Sequence, residues 1–387
     1  MIYNDDISIL GLGCMRLPKD TEESGRLVAH ALDLGINYFD TAYIYSGNEA
    51  MLGRIMKKYN CRGRMKIATK IPHYLLNSPG DIERYFQIQL ERLGTDHIDY
   101  YLMHMLPDVM TWHRLCGLGV SEWLDEKKRS GQILHAGFSY HGGTKEFIKL
   151  IDEYDWDFTQ VQYNYVDAVS QAGRAGVEHA HEKGVPVFIM EPLRGGLLTD
   201  KLPAPVRKLI DEGTPRHTPA GWGLRWLYDQ PAVTMVLSGM NTMAMLDENA
   251  AIASASPAGC LSSEERAFYD KITDAMNKSM KVGCTGCSYC MPCPYGVNIP
   301  SCFRAYNSSY SDGYFRAVRE YFMVLAFSGS PSFAGLCRKC GRCAKHCPQQ
   351  IPIPEMLAKV KRRLEFPGFG AVRWFYRHFM LKSGGGK

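Results

Sequence analysis

Over roughly its first 250 residues the chain alternates short apolar runs with longer amphipathic stretches, the pattern of repeated strand–helix units. The runs predict strands at Ile9–Gly13, Ile36–Asp40, Lys66–Lys70, Ile98–His104, Ile133–Ser139, Phe158–Val161, Val185–Glu191 and Val233–Ser238. The stretches between and after them predict helices near 21–34, 48–59, 81–93, 121–130, 144–153, 174–183, 219–229 and 242–254. Eight such units in that length match the count and size of a (β/α)8 TIM barrel. A doubly wound open sheet is the competing α/β topology, and it usually needs fewer units. The pattern then changes. Residues 257–280 read as a linker and one helix, with Ser262, Ser263 and Glu265 as an N-terminal capping signal. Residues 281–362 read as a small, mostly helical, cysteine-built domain, and 363–387 as a basic aromatic tail. The barrel domain is accordingly expected over 1–256.

Composition alters this picture little. Of 387 residues 45% are hydrophobic and 22% charged, which suits packed domains and not a disordered chain. A net charge of +5, scattered along the chain, gives no footprint for nucleic acid. The longest apolar runs, such as Val185–Met190, fall well short of the roughly 18 residues of a transmembrane helix. The first residues carry Asp5 and Asp6 where a secretory signal carries base, so the cytoplasm is the expected location. The tail admits two readings: a packing or oligomer-forming segment, or a membrane-surface segment. Neither a G-x-G-x-x-G nor a Walker phosphate loop is present.

In a barrel of this kind, chemistry gathers at the C-terminal ends of the strands. Asp40, Lys70 and His104 close predicted strands two, three and four, and Tyr45 lies in the loop after strand two. Taken singly, such residues are more often a helix cap, a solvated charge and a structural histidine. Together they form a proton-delivery device. An ammonium beside a phenol favours the tyrosinate and makes the tyrosine a better acid, and a carboxylate holds the ammonium. Tyr45 is then the general acid, Lys70 its tuner, Asp40 the partner of Lys70, and His104 the group that orients a carbonyl oxygen.

These residues sit within motifs that resemble the aldo/keto reductase family. They are Gly11-Leu-Gly-Cys-Met-Arg16, Asp40-Thr-Ala-Tyr-Ile-Tyr45, Ala68-Thr-Lys70, Asp99-Tyr-Tyr-Leu-Met-His104, Gly137-Phe-Ser139, Gln160-Val-Gln-Tyr-Asn164, Pro192-Leu-Arg-Gly-Gly-Leu197 and Glu248-Asn249, in family order. The resemblance implies a (β/α)8 barrel that binds NAD(P)H without a Rossmann fold, and catalytic roles for Asp40, Tyr45, Lys70 and His104. It implies nicotinamide contacts from Ser139 and Gln160. Pyrophosphate contacts are implied for Leu193, Gly195, Gly196 and Leu197, and adenosine contacts for Ser238, Gly239, Met240, Glu248 and Asn249. The chain departs from the family pattern in three places. Tyr140 follows the strand-five serine, Met190 or Glu191 stands where an aromatic ring stacks on the nicotinamide, and no cation falls near Gly239, Met240 or Met245. The last departure predicts weak preference for NADPH, or preference for NADH.

Eight of the thirteen cysteines form two groups: Cys284, Cys287, Cys290 and Cys293, then Cys337, Cys340, Cys343 and Cys347. The second group, followed by Pro348, has the C-x2-C-x2-C-x3-C-P spacing of two-cluster [4Fe–4S] ferredoxins, in which the last cysteine serves the other cluster. The first is one residue shorter before its last cysteine. We therefore assign Cys284, Cys287, Cys290 and Cys347 to one cluster, and Cys337, Cys340, Cys343 and Cys293 to the other. Zinc sites built from four cysteines are the rival reading. This end resembles helical two-cluster ferredoxin domains, and its fusion to a barrel resembles the iron–sulfur subgroup of aldo/keto reductases.

The expected protein is an oxidoreductase moving hydride between NAD(P)H and a small carbonyl or alcohol, with two [4Fe–4S] clusters and a one-electron redox partner. Tyr74, Met105, Trp112 and Tyr163 are candidate pocket residues. The alternative is an electron-transfer or assembly subunit whose barrel binds a nucleotide or partner without turning over carbonyls.

Overall fold

Eight short, mostly buried runs pair edge to edge until the sheet closes on itself. The strands are β1 Leu10–Gly13, β2 Tyr38–Asp40, β3 Lys66–Pro72, β4 Ile98–His104, β5 Ile133–Tyr140, β6 Phe158–Gln162, β7 Val187–Met190 and β8 Met235–Ser238. The computed structural model describes residues 2–3, 7–326 and 331–375. Its strands run β8-β1-β2-β3-β4-β5-β6-β7 around a closed barrel, with every pair parallel. Two compact units form: Met1–Arg194 with His217–Ser263, and Gly195–Arg216 with Glu264–Lys387.

All eight predicted strands are present, and β2, β7 and β8 each begin later than the pattern predicts, for local reasons. The Ile36 N–H bonds back to Ala31 O in the C-terminal turn of helix Thr21–Asp33. Pro186 has no N–H to give to a ladder, so β7 begins after it. Val233 is held in a turn by Gln230 O. Two helices and one hairpin escape the sequence pattern. Helix Val109–Cys116 buries only Trp112 and Leu115 and is capped by the Asp108 side chain, while Ala204–Glu212 buries only Val206 and Ile210. Ile2–Tyr3 pairs antiparallel with Ile7–Ser8.

The barrel interior is packed and leaves no channel, as side-chain layers require. Tyr38, Ala68, Tyr100, Leu102, Phe158, Phe188, Met235 and Leu237 fill it. Tyr38 and Tyr100 meet edge to face at 5.1 Å, and Phe158 and Phe188 lie 4.9 Å apart. Gly11 is required by this crowding: a Cβ there would stand 2.6 Å from Leu237 and 3.1 Å from Tyr38. A filled interior closes the lower part of the barrel and leaves the chemistry to the strand ends.

The second unit is helical, with helices Ser263–Ser279, Ile299–Ser311, Tyr314–Tyr321 and Ile353–Leu364. Its core is built from Val297, Ile299, Phe303, Tyr321, Leu357, Val360 and neighbours, against which six of the grouped cysteines pack. Phe369, early in the tail, belongs to this core, 4.5 Å from Phe322 and 5.4 Å from Phe333. That favours the packing reading for this part of the tail, and 376–387 lie outside the described residues. Among the described residues, no helix is long and apolar enough to cross a membrane.

Candidate functional site

Parallel register brings the predicted residues together. Asp40 pairs with Ala68 two residues before Lys70, and Pro72 pairs with His104. Asp40, Lys70 and His104 are 5%, 1% and 3% exposed, while Tyr45 is partly exposed above them. Lys70 Nζ donates to Asp40 Oδ1 and, at 2.8 Å, to Thr41 O. It lies 5.6 Å from the centre of the Tyr45 ring. The His104 ring stands 6.1 Å from that of Tyr45, nearly perpendicular to it.

Burial acts on each charge. It pushes the Lys70 ammonium down and the Asp40 carboxyl up, and in both cases the other's charge opposes the shift. Burial, then the Lys70 ammonium, then His141 and His73, hold His104 well below the usual histidine range. The imidazole is therefore neutral at pH 7. Its Nδ1 is buried without a hydrogen-bond partner among the described residues, an arrangement suited to a group that orients a ligand.

A second layer fixes the first. Glu49 Oε1 accepts from Thr69 Oγ1 at 2.6 Å and from Gln89 Nε2 at 2.8 Å, and Glu49 Oε2 accepts from Arg92 at 3.0 Å. Tyr101 Oη donates to Gln89 Oε1. The loop that carries Tyr45 is tied down by Thr41 Oγ1 donating to Asn48 Oδ1 at 2.6 Å, and by Asn48 Nδ2 donating to Cys14 O at 2.9 Å. Thr69 lies within the Ala68-Thr-Lys70 motif, whereas Gln89 and Asn48 lie outside every motif, so no single-sequence signal marks those two.

The remaining predicted barrel residues fall as follows. Ser139 is buried beside Gln160 in the β5–β6 register, and its Oγ accepts from Met105 N at 2.9 Å. Gln160 Nε2 reaches Met190 Sδ at 3.6 Å, and its Oε1 is buried without a partner among the described residues. Asn249 Nδ2 donates to Ser238 Oγ at 2.9 Å. Gly239 is exposed, Glu248 partly so, and Met240 is packed into the barrel core. Leu193 ends beside Gly223. Gly195, Gly196 and Leu197 are partly exposed, both glycines with positive φ, and belong to the second unit.

Two expectations are corrected. Trp112 is not a pocket wall: it is 1% exposed and packs on Tyr154 and Trp156. Tyr163 is likewise fully buried, donating to Gln230 Oε1. The segment near Gly239 carries no cation of its own, but Arg16 approaches it, its Cδ lying 4.0 Å from where a Gly239 Cβ would stand. Barrel closure puts β1 beside β8, so a residue more than 200 positions away supplies what the local segment lacks.

Sequence reasoning also missed a buried anion. Asp167 Oδ2 accepts from Gln162 at 2.8 Å and Asn164 at 2.9 Å and forms an ion pair with Arg194 at 2.9 Å, tying the loop after β7 to the loop after β6. Met105, Glu191 and Arg194, none of them glycine, adopt positive φ of 56°, 52° and 46° in loops at the same end of the barrel. Such strain is tolerated mostly where a site needs it.

In the second unit, Cys284, Cys287, Cys290 and Cys347 line one small pocket, with Ile299, Phe303 and Ile353 among its apolar walls. The Cys290 thiol is pushed up to about 12, first by burial and then by Cys284, Cys287 and Cys347. Cys343 is raised by burial and by Cys337 and Cys293. Cys290 thus lies near Cys284, Cys287 and Cys347, and Cys343 near Cys337 and Cys293. Cys340 alone of the thirteen is exposed. Among the described residues no three Cys, His, Asp or Glu side chains are gathered tightly enough for a single metal ion.

The fold and the constellation are those of a (β/α)8 barrel with a buried Asp–Lys–His group at its strand ends, followed along the chain by a helical unit with a thiol-lined pocket, and the comparisons with known proteins agree. Residues 9–258 match the aldo/keto reductase family, so the chain belongs to that family. Residues 283–351 match a 4Fe-4S dicluster domain. Among curated relatives, the aldo-keto reductase yakc [NADP(+)] of Schizosaccharomyces pombe is 27% identical over 221 residues, 53% of this chain and 63% of its own length. The uncharacterized oxidoreductase YqkF of Bacillus subtilis is 28% identical, over 65% of this chain and 88% of its own. The chain spans less than two thirds of the length of the first of these. Among solved structures, the holo form of the aldo-keto reductase AKR11C1 from Bacillus halodurans gives a TM-score of 0.58 at 26% identity, covering 69% of this chain and 92% of that one. An aldo-keto reductase from Klebsiella pneumoniae in complex with NADPH, at 21% identity and a TM-score of 0.57, shows the shared fold.

Proposed function

We propose that the chain reduces a small aldehyde or ketone with NAD(P)H, or oxidises the corresponding alcohol, with Tyr45 as general acid and base. The observation that carries this is the buried Lys70–Asp40 ion pair directly beneath the partly exposed Tyr45 ring. Lys70 stabilises the phenolate left when Tyr45 gives its proton to the developing alkoxide. Asp40 and Thr41 O keep the ammonium in place. His104, neutral and buried, orients the carbonyl oxygen without competing as proton donor.

The residues present fit a nicotinamide nucleotide. The buried, unpartnered Oε1 of Gln160 in β6 is an acceptor for a carboxamide N–H, and Ser139 is its register neighbour. When bound, the nicotinamide supplies the hydride. The relatives named for NADP(+) and NADPH support the same choice of cofactor class.

The thiol sets fit [4Fe–4S] clusters: four cysteines of the first set surround an apolar-walled pocket, and the second set has the C-x2-C-x2-C-x3-C-P spacing of cluster-binding loops. Cys284, Cys287, Cys290 and Cys347 hold one, and Cys337, Cys340, Cys343 and Cys293 the other. The clusters couple the barrel to one-electron chemistry or regulate it. The test is anaerobic purification with iron and sulfide analysis, followed by steady-state assays of a carbonyl panel with NADH and NADPH. Iron and sulfide in equal amounts with nucleotide-dependent turnover are expected. Zinc without sulfide would remove the cluster reading, and no turnover with either nucleotide would remove the reductase reading.

A further inference from the structure

The two cysteine loops share a backbone and differ in charge. Two residues after the first cysteine, Gly286 (φ 73°) and Lys339 (φ 54°) are both left-handed. Four residues after it, Ser288 (φ 67°) and Gly341 (φ 74°) are left-handed as well. Yet residues 282–303, around the first loop, contain no charged side chain, while residues 331–354, around the second, contain Arg338, Lys339, Arg342 and Lys345 and no Asp or Glu. The four cations are therefore not needed for the turn, because the first loop makes it without them. Lys339 even takes a conformation that is strained for a non-glycine residue, where the other loop uses glycine.

All four cations are exposed, as are Cys340 and His346 between and beside them. None is in an ion pair among the described residues. We infer that this loop is the docking surface for an acidic one-electron carrier protein, so that the cluster held by Cys337, Cys340, Cys343 and Cys293 is the one that meets the partner. The inference rests on the reading that the cysteine sets hold clusters. Per encounter one electron passes between the carrier's redox centre and that cube, one side losing what the other gains, with no bond made or broken. A concentrated unpaired positive patch steers an acidic partner and raises its association rate by about 10–10³-fold at low salt. It also suits the small, short-lived interfaces of redox pairs. The neutral loop offers no such attraction.

The test uses the full chain with its clusters intact, established first by iron, sulfide and electron paramagnetic resonance. Absence of clusters at that stage overturns the underlying reading itself. Binding of two acidic carriers, a flavodoxin and a plant-type ferredoxin, is then measured calorimetrically at low and at physiological salt. Wild type should bind at least one, more weakly as salt rises. The variant Arg338→Gln/Lys339→Gln/Arg342→Gln/Lys345→Gln should bind it about tenfold or more weakly. The control Arg316→Gln/Arg319→Gln/Lys359→Gln/Arg362→Gln, which removes as many exposed cations elsewhere in the same unit, should bind as wild type does. Three results overturn the docking surface while leaving the clusters in place: no salt-dependent binding to either carrier, equal weakening in the control, or a loop variant that changes only the cluster's reduction potential. Tighter binding of a single-stranded oligonucleotide than of either carrier would assign the patch to nucleic acid and overturn it too.

Discussion

The barrel and the helical unit assemble their chemistry in opposite ways. In the barrel, Asp40, Lys70 and His104 stand on three strands, Tyr45 stands on a loop, and the three strand residues are buried. Nothing local joins them; strand register does. In the helical unit, eight cysteines sit in two short loops, most of them partly exposed and one fully so. A site made by register is complete when the barrel folds. A site made by thiols around a cavity is completed by what it holds, because like groups pushed together repel when ionised and need iron to neutralise them.

The largest expected effect lies in the barrel. Tyr45→Phe removes the acid and leaves Lys70, Asp40 and His104 in place, so carbonyl reduction should slow by about 10²–10⁴. Nucleotide binding and cluster content should not change. Wild-type-like turnover in this variant would show that register has gathered these residues for another purpose.

Next comes a separation of the two regions. Cys290→Ala removes one thiol from the lined cavity, and should cost one of the two clusters, about half of the iron. If the barrel site is complete by itself, NAD(P)H-driven turnover should stay within about threefold of wild type, while activity driven by a one-electron donor falls away. Joint loss of both activities in a folded protein would mean that the clusters hold or switch the barrel and do not relay electrons for it.

What the sequence made legible follows the same division. The cysteine sets were readable because ligand spacing is a local property, and Asp40, Lys70 and His104 because strand ends can be counted. Arg16 was not, since only barrel closure brings it to Gly239. Asp167 and Glu49 look like ordinary surface acids until Gln162, Asn164 and Arg194, or Thr69, Gln89 and Arg92, close around them. Trp112 misled because an aromatic near a strand end reads alike whether it faces a pocket or a helix interface. The helix Val109–Cys116 was missed because two buried residues give too little periodicity.

Acid should also distinguish the two regions. In the barrel His104 is buried and His141 largely so; burial lowers His104 well below the usual range and His141 to about 4. The helical unit has only His346 among its described residues, on the surface. Between the lowered folded values and about 6.5 the unfolded chain binds more protons than the folded one, so stability rises with pH there and is lost as pH falls. His141 alone accounts for roughly 3 kcal/mol over that span. Denaturant midpoints taken from neutral pH to about pH 5 should fall for the barrel transition, less so in His141→Gln. A barrel midpoint independent of pH would show that these imidazoles are protonated in place.

The smallest effect concerns nucleotide choice. With no cation on its own segment, the Gly239 region predicts indifference to the 2′-phosphate of NADPH or preference for NADH. Arg16 changes that expectation, because it is exposed at the end of the neighbouring strand and its side chain reaches Gly239. A guanidinium that meets a phosphate forms a charge-assisted contact of about 1.5–3 kcal/mol, roughly a ten- to hundredfold change in affinity, and exposure to solvent keeps it at the lower end. Arg16→Ala should therefore weaken NADPH by about tenfold and leave NADH nearly unchanged, as read by fluorescence titration with each nucleotide. Equal weakening of both would place Arg16 at the pyrophosphate, and no change in either would return the barrel to the preference that its local segment predicts.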